Sequence, residues 1–235
     1  MNKNIKLISA FLLTLTITSF TKKNCMNEPT LLPAIHQYLT EVEKEFSTIP
    51  NERKEVLKTL AEYIKQSQKQ HNTTALTFIC THNSRRSHLA QIWAKAAATY
   101  YHIPNVVTYS GGTEVTAFNI NAVNALKEAG FEINADNAAV NPIYHVTFSN
   151  NGLPIKAFSK KYTDAPNPKE NYAAIMTCSS ADKACPIVFG ASKKIVTTYE
   201  DPKLSDGTPE QKTTYSARSK QIATELLYAF SLVNN

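Results

Sequence analysis

The feature that most constrains this chain is a short apolar run, Ala75-Leu76-Thr77-Phe78-Ile79, which ends on a cysteine and leads through a polar loop into a helical pattern. A run this short and this apolar suits a strand buried on both faces, as in a parallel sheet. Cys80 to Arg86 reads as the loop, and His88 to Tyr101 as a helix with Leu89, Ile92, Trp93 and Ala96 on one face. A second strand, Val106 to Tyr109, runs into Ser110-Gly111-Gly112-Thr113, and Asn119 to Ala129 reads as a further helix closed by Gly130 in a left-handed cap. The alternation of strand and helix implies an α/β domain whose parallel four-stranded sheet is flanked by helices on both faces. Tyr172 to Met176 and Lys194 to Tyr199 supply the remaining strands, and Thr213 to Val233 a C-terminal helix with Ile222, Leu226, Leu227 and Phe230 inward.

Two segments depart from that rhythm. Ile143 to Ser149 and Leu153 to Phe158 read as extended runs joined by Asn150-Asn151-Gly152, a hairpin signal, so a β-hairpin is expected as an insertion. Before the sheet, Leu39, Val42 and Phe46 sit at helical spacing, Pro50 interrupts, and Asn51 is expected to cap a second helix with Val56, Leu57, Leu60 and Ile64 inward. Gln66 to Thr74 reads as a polar linker. The expected organisation is a signal peptide over 1–24, a helical extension over 25–72 and a catalytic domain over 73–235, within a length of 235 residues that suits one domain with an appendage.

The N-terminus is set apart by Lys3 and Lys6 ahead of an apolar run from Leu7 to Phe20, which is short for a bilayer span and reads as an export signal. The mature chain is therefore expected to be periplasmic or secreted, with no membrane span after cleavage; an uncleaved signal would anchor the protein by its N-terminus. Cys25 is preceded by Lys22-Lys23-Asn24, the wrong lead-in for lipidation. A net charge of +6 comes from scattered pairs such as Lys22-Lys23, Arg85-Arg86 and Lys193-Lys194, so it argues against nucleic-acid binding and for a mildly basic surface.

The chemistry concentrates in Cys80-Thr81-His82-Asn83-Ser84-Arg85-Arg86-Ser87. A loop at a helix N-terminus points backbone N–H groups inward and adds the positive end of the helix dipole, which suits a small tetrahedral oxyanion. The same donors stabilise a thiolate, making Cys80 a candidate nucleophile. Thr81, His82, Asn83, Ser84, Arg85 and Arg86 form the expected cradle. Arg86 can hold two oxygens with its planar fork. Ser87 can donate to the sulfur, while Asn83 and Ser110 brace the loop. The bland alternative is a buried, inert cysteine at a strand end.

This loop resembles the signature of the low-molecular-weight protein tyrosine phosphatase superfamily, which shares its fold with thioredoxin-coupled arsenate reductases. The likeness runs from about Leu76 to Phe230. It rests on Cys80 and Arg86-Ser87, on Tyr109-Ser110-Gly111-Gly112-Thr113, and on Glu200-Asp201-Pro202, which resembles the turn carrying the general acid, here Asp201. His82 and Arg85 stand where many members have a small residue and often a cysteine.

Cys178-Ser179-Ser180-Ala181-Asp182-Lys183-Ala184-Cys185-Pro186 resembles the redox segment of those reductases. The resemblance implies arsenate reduction to arsenite by a relay through Cys80, Cys178 and Cys185, with a thioredoxin-like reductant as partner. Protein tyrosine phosphatase activity on phosphomonoesters through a phosphocysteine is the alternative, and a catalytically silent oxyanion-binding module a third. A static Cys178–Cys185 disulfide also fits the spacing; a zinc site lacks nearby His or Cys partners. The polar segment between these cysteines suits a mobile thiol. No metal or organic cofactor is implied.

Overall fold

A computed structural model describes residues 29–234 apart from 138 and 186. The segment read as an export signal, Cys25 and Pro186 thus lie outside the described residues. Helix α1 spans Pro33–Glu43 and α2 Asn51–Lys69; strand β1, Thr74–Cys80, feeds α3, Arg86–Tyr100; β2, Val106–Gly112, feeds α4, Ile120–Glu128. Short strands β3, Glu132–Ala135, β4, Tyr144–Thr147, and β5, Ile155–Ala157, follow. The chain then forms β6, Tyr172–Met176, α5, Ser179–Ala184, β7, Ala191–Val196, and α6, Gln211–Ser231.

The main sheet has four strands in the order β2-β1-β6-β7, all parallel, as the alternation requires. Every residue of β1 and β6 is buried, which is why both read as unbroken apolar runs. Their side chains alternate between two clusters. Leu76, Phe78, Ala173 and Ile175 enter a large core with α1, α2, α3, α4 and α6. Ala75, Ile79, Ala174 and Met176 enter a small one. The helical covering is therefore unequal: among the described residues the second face carries only α5, with Val188 and the partly buried Tyr109 and Tyr162 beside it. No helix among the described residues is long and apolar enough to cross a membrane.

Trp93 of α3 ties the larger layer together. Its ring stacks on Tyr38 of α1 at 5.2 Å, meets Phe131 edge-on at 4.9 Å, and its Nε1 donates to Ser219 Oγ of α6 at 2.9 Å. Ile35, Leu39, Leu57, Leu60 and Ile64 are fully buried in the same core, so the helical extension packs against the sheet domain. Gly130 takes the left-handed conformation at φ +103°, closing α4 as expected, and Asn119 caps its start by accepting from the Asn121 and Ala122 amides.

Three local expectations are corrected. Asn51 is the first residue of α2 and makes no capping hydrogen bond; Pro50, with φ −57° and an extended ψ of 147°, is the boundary residue and sets the chain's entry. The linker shrinks to residues 70–73, because α2 runs on to Lys69 and β1 starts at Thr74. The inserted hairpin exists, since β4 and β5 pair antiparallel, but neither Asn151 nor Gly152 has the positive φ of a tight turn. The backbone there pairs elsewhere: Leu32 N–H donates to Phe148 O at 3.0 Å and Asn150 N–H to Thr30 O at 2.9 Å. A third strand, β3, completes that sheet, and with only Ile133 of its four residues buried it leaves almost no apolar pattern to read.

Candidate active site

Cys80 ends β1, buried to 3% exposure, with Sγ 3.1 Å from Ser87 Oγ at the start of α3. Between them the loop turns through Asn83, held at φ +43° in the left-handed region that asparagine tolerates better than most residues. Asn83 Nδ2 donates to Ser87 Oγ at 2.9 Å, and Asn83 Oδ1 accepts from the Lys160 amide at 3.0 Å. The expected bracing by Asn83 therefore runs through Ser87 and Lys160. Ser110 braces a different residue: its Oγ lies 3.1 Å from His88 Nδ1.

The loop's carbonyls face away from its centre. Cys80 O accepts from Thr113 N–H, Thr81 O from Glu114 N–H at 2.8 Å, His82 O from Ser159 Oγ at 2.9 Å, and Ser84 O from Asn119 N–H at 2.9 Å. The amides of His82, Asn83, Ser84 and Arg85 find no acceptor among the described residues. Backbone donors without partners, at the start of a 15-residue helix, are what a tetrahedral anion requires. Gly112 permits the close approach behind them: a Cβ there would lie 2.6 Å from Thr81 O and 2.8 Å from Asn83 N.

Arg86 and Arg85 both converge on Asp201. Arg86 Nη2 donates to Oδ2 at 2.7 Å and Nη1 to Tyr199 O at 2.9 Å, leaving a buried Nε without a partner. Arg85 donates Nε to Oδ1 at 2.8 Å and Nη2 to Oδ2 at 3.3 Å. Burial by itself would strengthen the hold of Asp201 on a proton, but the charges of Arg86 and then Arg85 outweigh it and keep the carboxyl below its usual range. An acid waiting to donate would be protonated, so here Asp201 stands as a carboxylate.

His82 stands within the loop and His88 just past it. His82 lies half-exposed, 3.3 Å from Glu114. His88 is fully buried, stacked on Phe118 at 4.1 Å, and burial followed by the charge of Lys160 holds it well below the usual imidazole range, so it stays neutral and contributes no charge.

Cys178 lies on the same small cluster as Cys80. Its Sγ is 3.4 Å from Thr81 Oγ1 and accepts the Ala181 amide at 3.4 Å. Cys185, half-buried, follows α5 and packs, like Tyr162, against the small cluster. Cys80, Cys178 and Cys185 are all free. The mobile loop expected between the last two is instead the six-residue helix α5. Seven helical steps of rise separate the cysteines by about 10 Å, whereas a disulfide needs Cα atoms within about 7 Å. Pairing them requires α5 to unwind. No group of three or more His, Cys, Asp or Glu side chains among the described residues is placed to hold a metal.

Lys160 and Ser159 were missed by the sequence reading. They reach the loop from the end of the insertion, where no periodicity marks them.

No family model matches the chain. An arsenate reductase of Bacillus licheniformis is 28% identical over 158 residues, covering 66% of this chain and 92% of that protein. Arsenate reductase 2 of Staphylococcus epidermidis is 31% identical over 127 residues, covering 53% of this chain and 76% of that protein. Among solved structures, a mutant of YwlE from Bacillus subtilis aligns over 69% of this chain and 99% of its own, at 16% identity and a TM-score of 0.47. By its sequence identity to the staphylococcal protein and the share of that protein it covers, the chain belongs to the family of these arsenate reductases.

Proposed function

We propose that the chain reduces arsenate to arsenite through Cys80, Cys178 and Cys185. The observation that carries this is the placement of Cys80 beside unpaired loop amides with Cys178 next to Thr81, one residue further along the chain. Arsenate sits on the amides, and the Arg86 fork turns from Asp201 to two of its oxygens. The Cys80 sulfur forms a bond to arsenic as one As–O bond breaks and that oxygen leaves as water. Cys178 then attacks the Cys80 sulfur. A disulfide forms, the electron pair of the S–As bond stays on arsenic, and arsenite departs with arsenic reduced from +5 to +3. Attack by Cys185 on Cys178 releases Cys80 as a thiol and leaves a Cys178–Cys185 disulfide, with α5 unwound. A thioredoxin-like dithiol reopens it by exchange.

A second reading, hydrolysis of phosphomonoesters through a phosphocysteine, is favoured by one feature: Asp201 sits against Arg86, where a leaving-group acid would stand. The experiment is turnover of arsenate with a thioredoxin system, beside turnover of para-nitrophenyl phosphate, for the parent chain, Cys80→Ser and Cys185→Ser. Cys80→Ser should lose both activities. Cys185→Ser should lose multiple turnover of arsenate and keep any ester hydrolysis; arsenate turnover that survives this change rules out the relay. Export rests on Lys3, Lys6 and the Leu7 to Phe20 run, and mass spectrometry of the mature N-terminus tests it.

A further inference from the structure

Two guanidinium groups meet on one carboxylate, although the reading above needs only Arg86 for the oxyanion. A bound dianion competes for the Arg86 fork, whose Nε is buried and without a partner. Arg85 is different. Its side chain is 10% exposed, and its Nε and Nη2 grip both oxygens of Asp201. The Lys203 amide adds a donor to Oδ1 at 3.2 Å, so Asp201 keeps three hydrogen bonds when Arg86 leaves.

We propose that Arg85 is a positioning residue that keeps Asp201 anchored and ionised while Arg86 holds the oxyanion, and that it thereby selects substrates whose leaving oxygen needs no proton from Asp201. This deepens the proposed function and rests on its assignment of the oxyanion to the loop. In ester hydrolysis the Cys80 thiolate forms an S–P bond as the P–O bond breaks, and the leaving oxygen departs with the bonding pair and must collect one proton. A nitrophenolate leaves without help. A phenolate or alkoxide leaves slowly unless an acid donates. Arsenate, whose As–O bonds exchange in water far more readily than P–O bonds, tolerates the same arrangement. The favoured class is thus arsenate and activated esters, against phosphomonoesters of simple alcohols and phenols.

The electrostatic surroundings leave this role to Arg85. Lys203 lies on the same turn, while Glu200 is engaged by Arg218 of α6 at 3.3 Å. Tyr199 is buried, and burial raises its hold on its proton. Tyr215 of α6, within electrostatic reach of Arg85, donates its hydroxyl to Asp206 at 2.8 Å. With Arg86 turned away, Arg85 is the cation that opposes the effect of burial on Asp201.

The test uses the full chain and its Arg85→Gln and Arg85→Lys variants, with inorganic phosphate as the bound probe. Carboxyl NMR titration follows Asp201, and turnover of para-nitrophenyl phosphate is compared with phenyl phosphate at neutral pH. Removing a charge in direct contact should raise the Asp201 midpoint by about one pH unit or more. The preference for the nitrophenyl ester should then narrow about tenfold, the equivalent of one unit. Arg85→Lys, a single point charge, should fall between the two and serves if the glutamine variant does not fold. An Asp201 midpoint unmoved by Arg85→Gln in the presence of phosphate overturns the proposal. A raised midpoint in a chain that turns over neither ester nor, with a thioredoxin system, arsenate supports the clamp while counting against the proposed function.

Discussion

Replacing Asn83 by alanine tests the loop most directly. The residue is fully buried at φ +43°, and its side chain makes two hydrogen bonds, to Ser87 Oγ at 2.9 Å and from the Lys160 amide at 3.0 Å. Leaving a buried donor without an acceptor costs about 1–3 kcal/mol. Alanine in the left-handed region costs about 1–2 kcal/mol more than glycine does. Water entering the space left by the amide recovers part of the first effect, so a loss of about 2–4 kcal/mol is expected for Asn83→Ala. Asn83→Gly escapes the backbone strain and should be the more stable of the two by about 1 kcal/mol. Asn83→Asp keeps the acceptor for Lys160 but loses the donor to Ser87 and sets a negative charge beside Cys80. It should retain most of the stability while losing most of the turnover. Urea unfolding with the slope held in view measures the first quantity and para-nitrophenyl phosphate or arsenate turnover the second. If Asn83→Ala unfolds within about 0.5 kcal/mol of the parent at unchanged slope, the bracing hydrogen bonds do not hold the loop as argued.

Arg86→Lys should reduce turnover of any oxyanion by about a hundredfold or more, because an ammonium cannot reproduce a two-point fork at a forming charge; near-normal kcat would move that role to Arg85. His88 is buried neutral, so the unfolded chain takes up a proton near pH 6.5 that the folded chain refuses. Stability should therefore fall as pH drops below about 6.5, by up to about 1.4 kcal/mol per unit, until the folded-state pKa is reached. Chemical unfolding between pH 7 and 5 reads this slope, which His88→Gln should flatten; an unchanged slope would assign it to other groups. Leu57→Ala, at a fully buried position of α2, should cost about 2–5 kcal/mol in one cooperative transition, and a separate early transition would mean that the extension folds apart from the sheet domain.

What could be read from the sequence was local. Cys80 to Ser87 is legible because a buried strand, a polar loop and a helix start follow one another directly, and each leaves its own signature within a few residues. Gly130 ends α4 as read, since only a left-handed residue closes a helix that way. The failures were decided at long range. Asn151-Gly152 carries the residue types of a tight turn, yet the pairing of Phe148 and Asn150 with Leu32 and Thr30 takes that backbone elsewhere. The segment between Cys178 and Cys185 is polar and short, and nothing in it announces that Cys178 will accept the Ala181 amide and start a helical turn. Arg85 and Asp201 stand 116 residues apart, so their pairing leaves no trace in either local pattern.

The helical extension reaches the candidate active site through Arg53. Arg53 of α2 donates Nε to Glu225 Oε2 of α6 at 2.7 Å and Nη2 to Thr198 O at 3.2 Å, and its guanidinium lies 4.8 Å from the centre of the Tyr199 ring. Tyr199 is the residue whose carbonyl accepts Arg86 Nη1, and Asp201 follows two positions later. The ion pair is largely desolvated, with side chains 17% and 5% exposed, so neither partner can be removed without stranding a buried charge. It therefore fixes the backbone from Thr198 to Tyr199 against α2 and α6 at the point where that backbone supplies an acceptor to Arg86. The extension is on these grounds part of the wall that positions Arg86 and Asp201, and the expected division at residue 72 separates segments of sequence that share one core and one site.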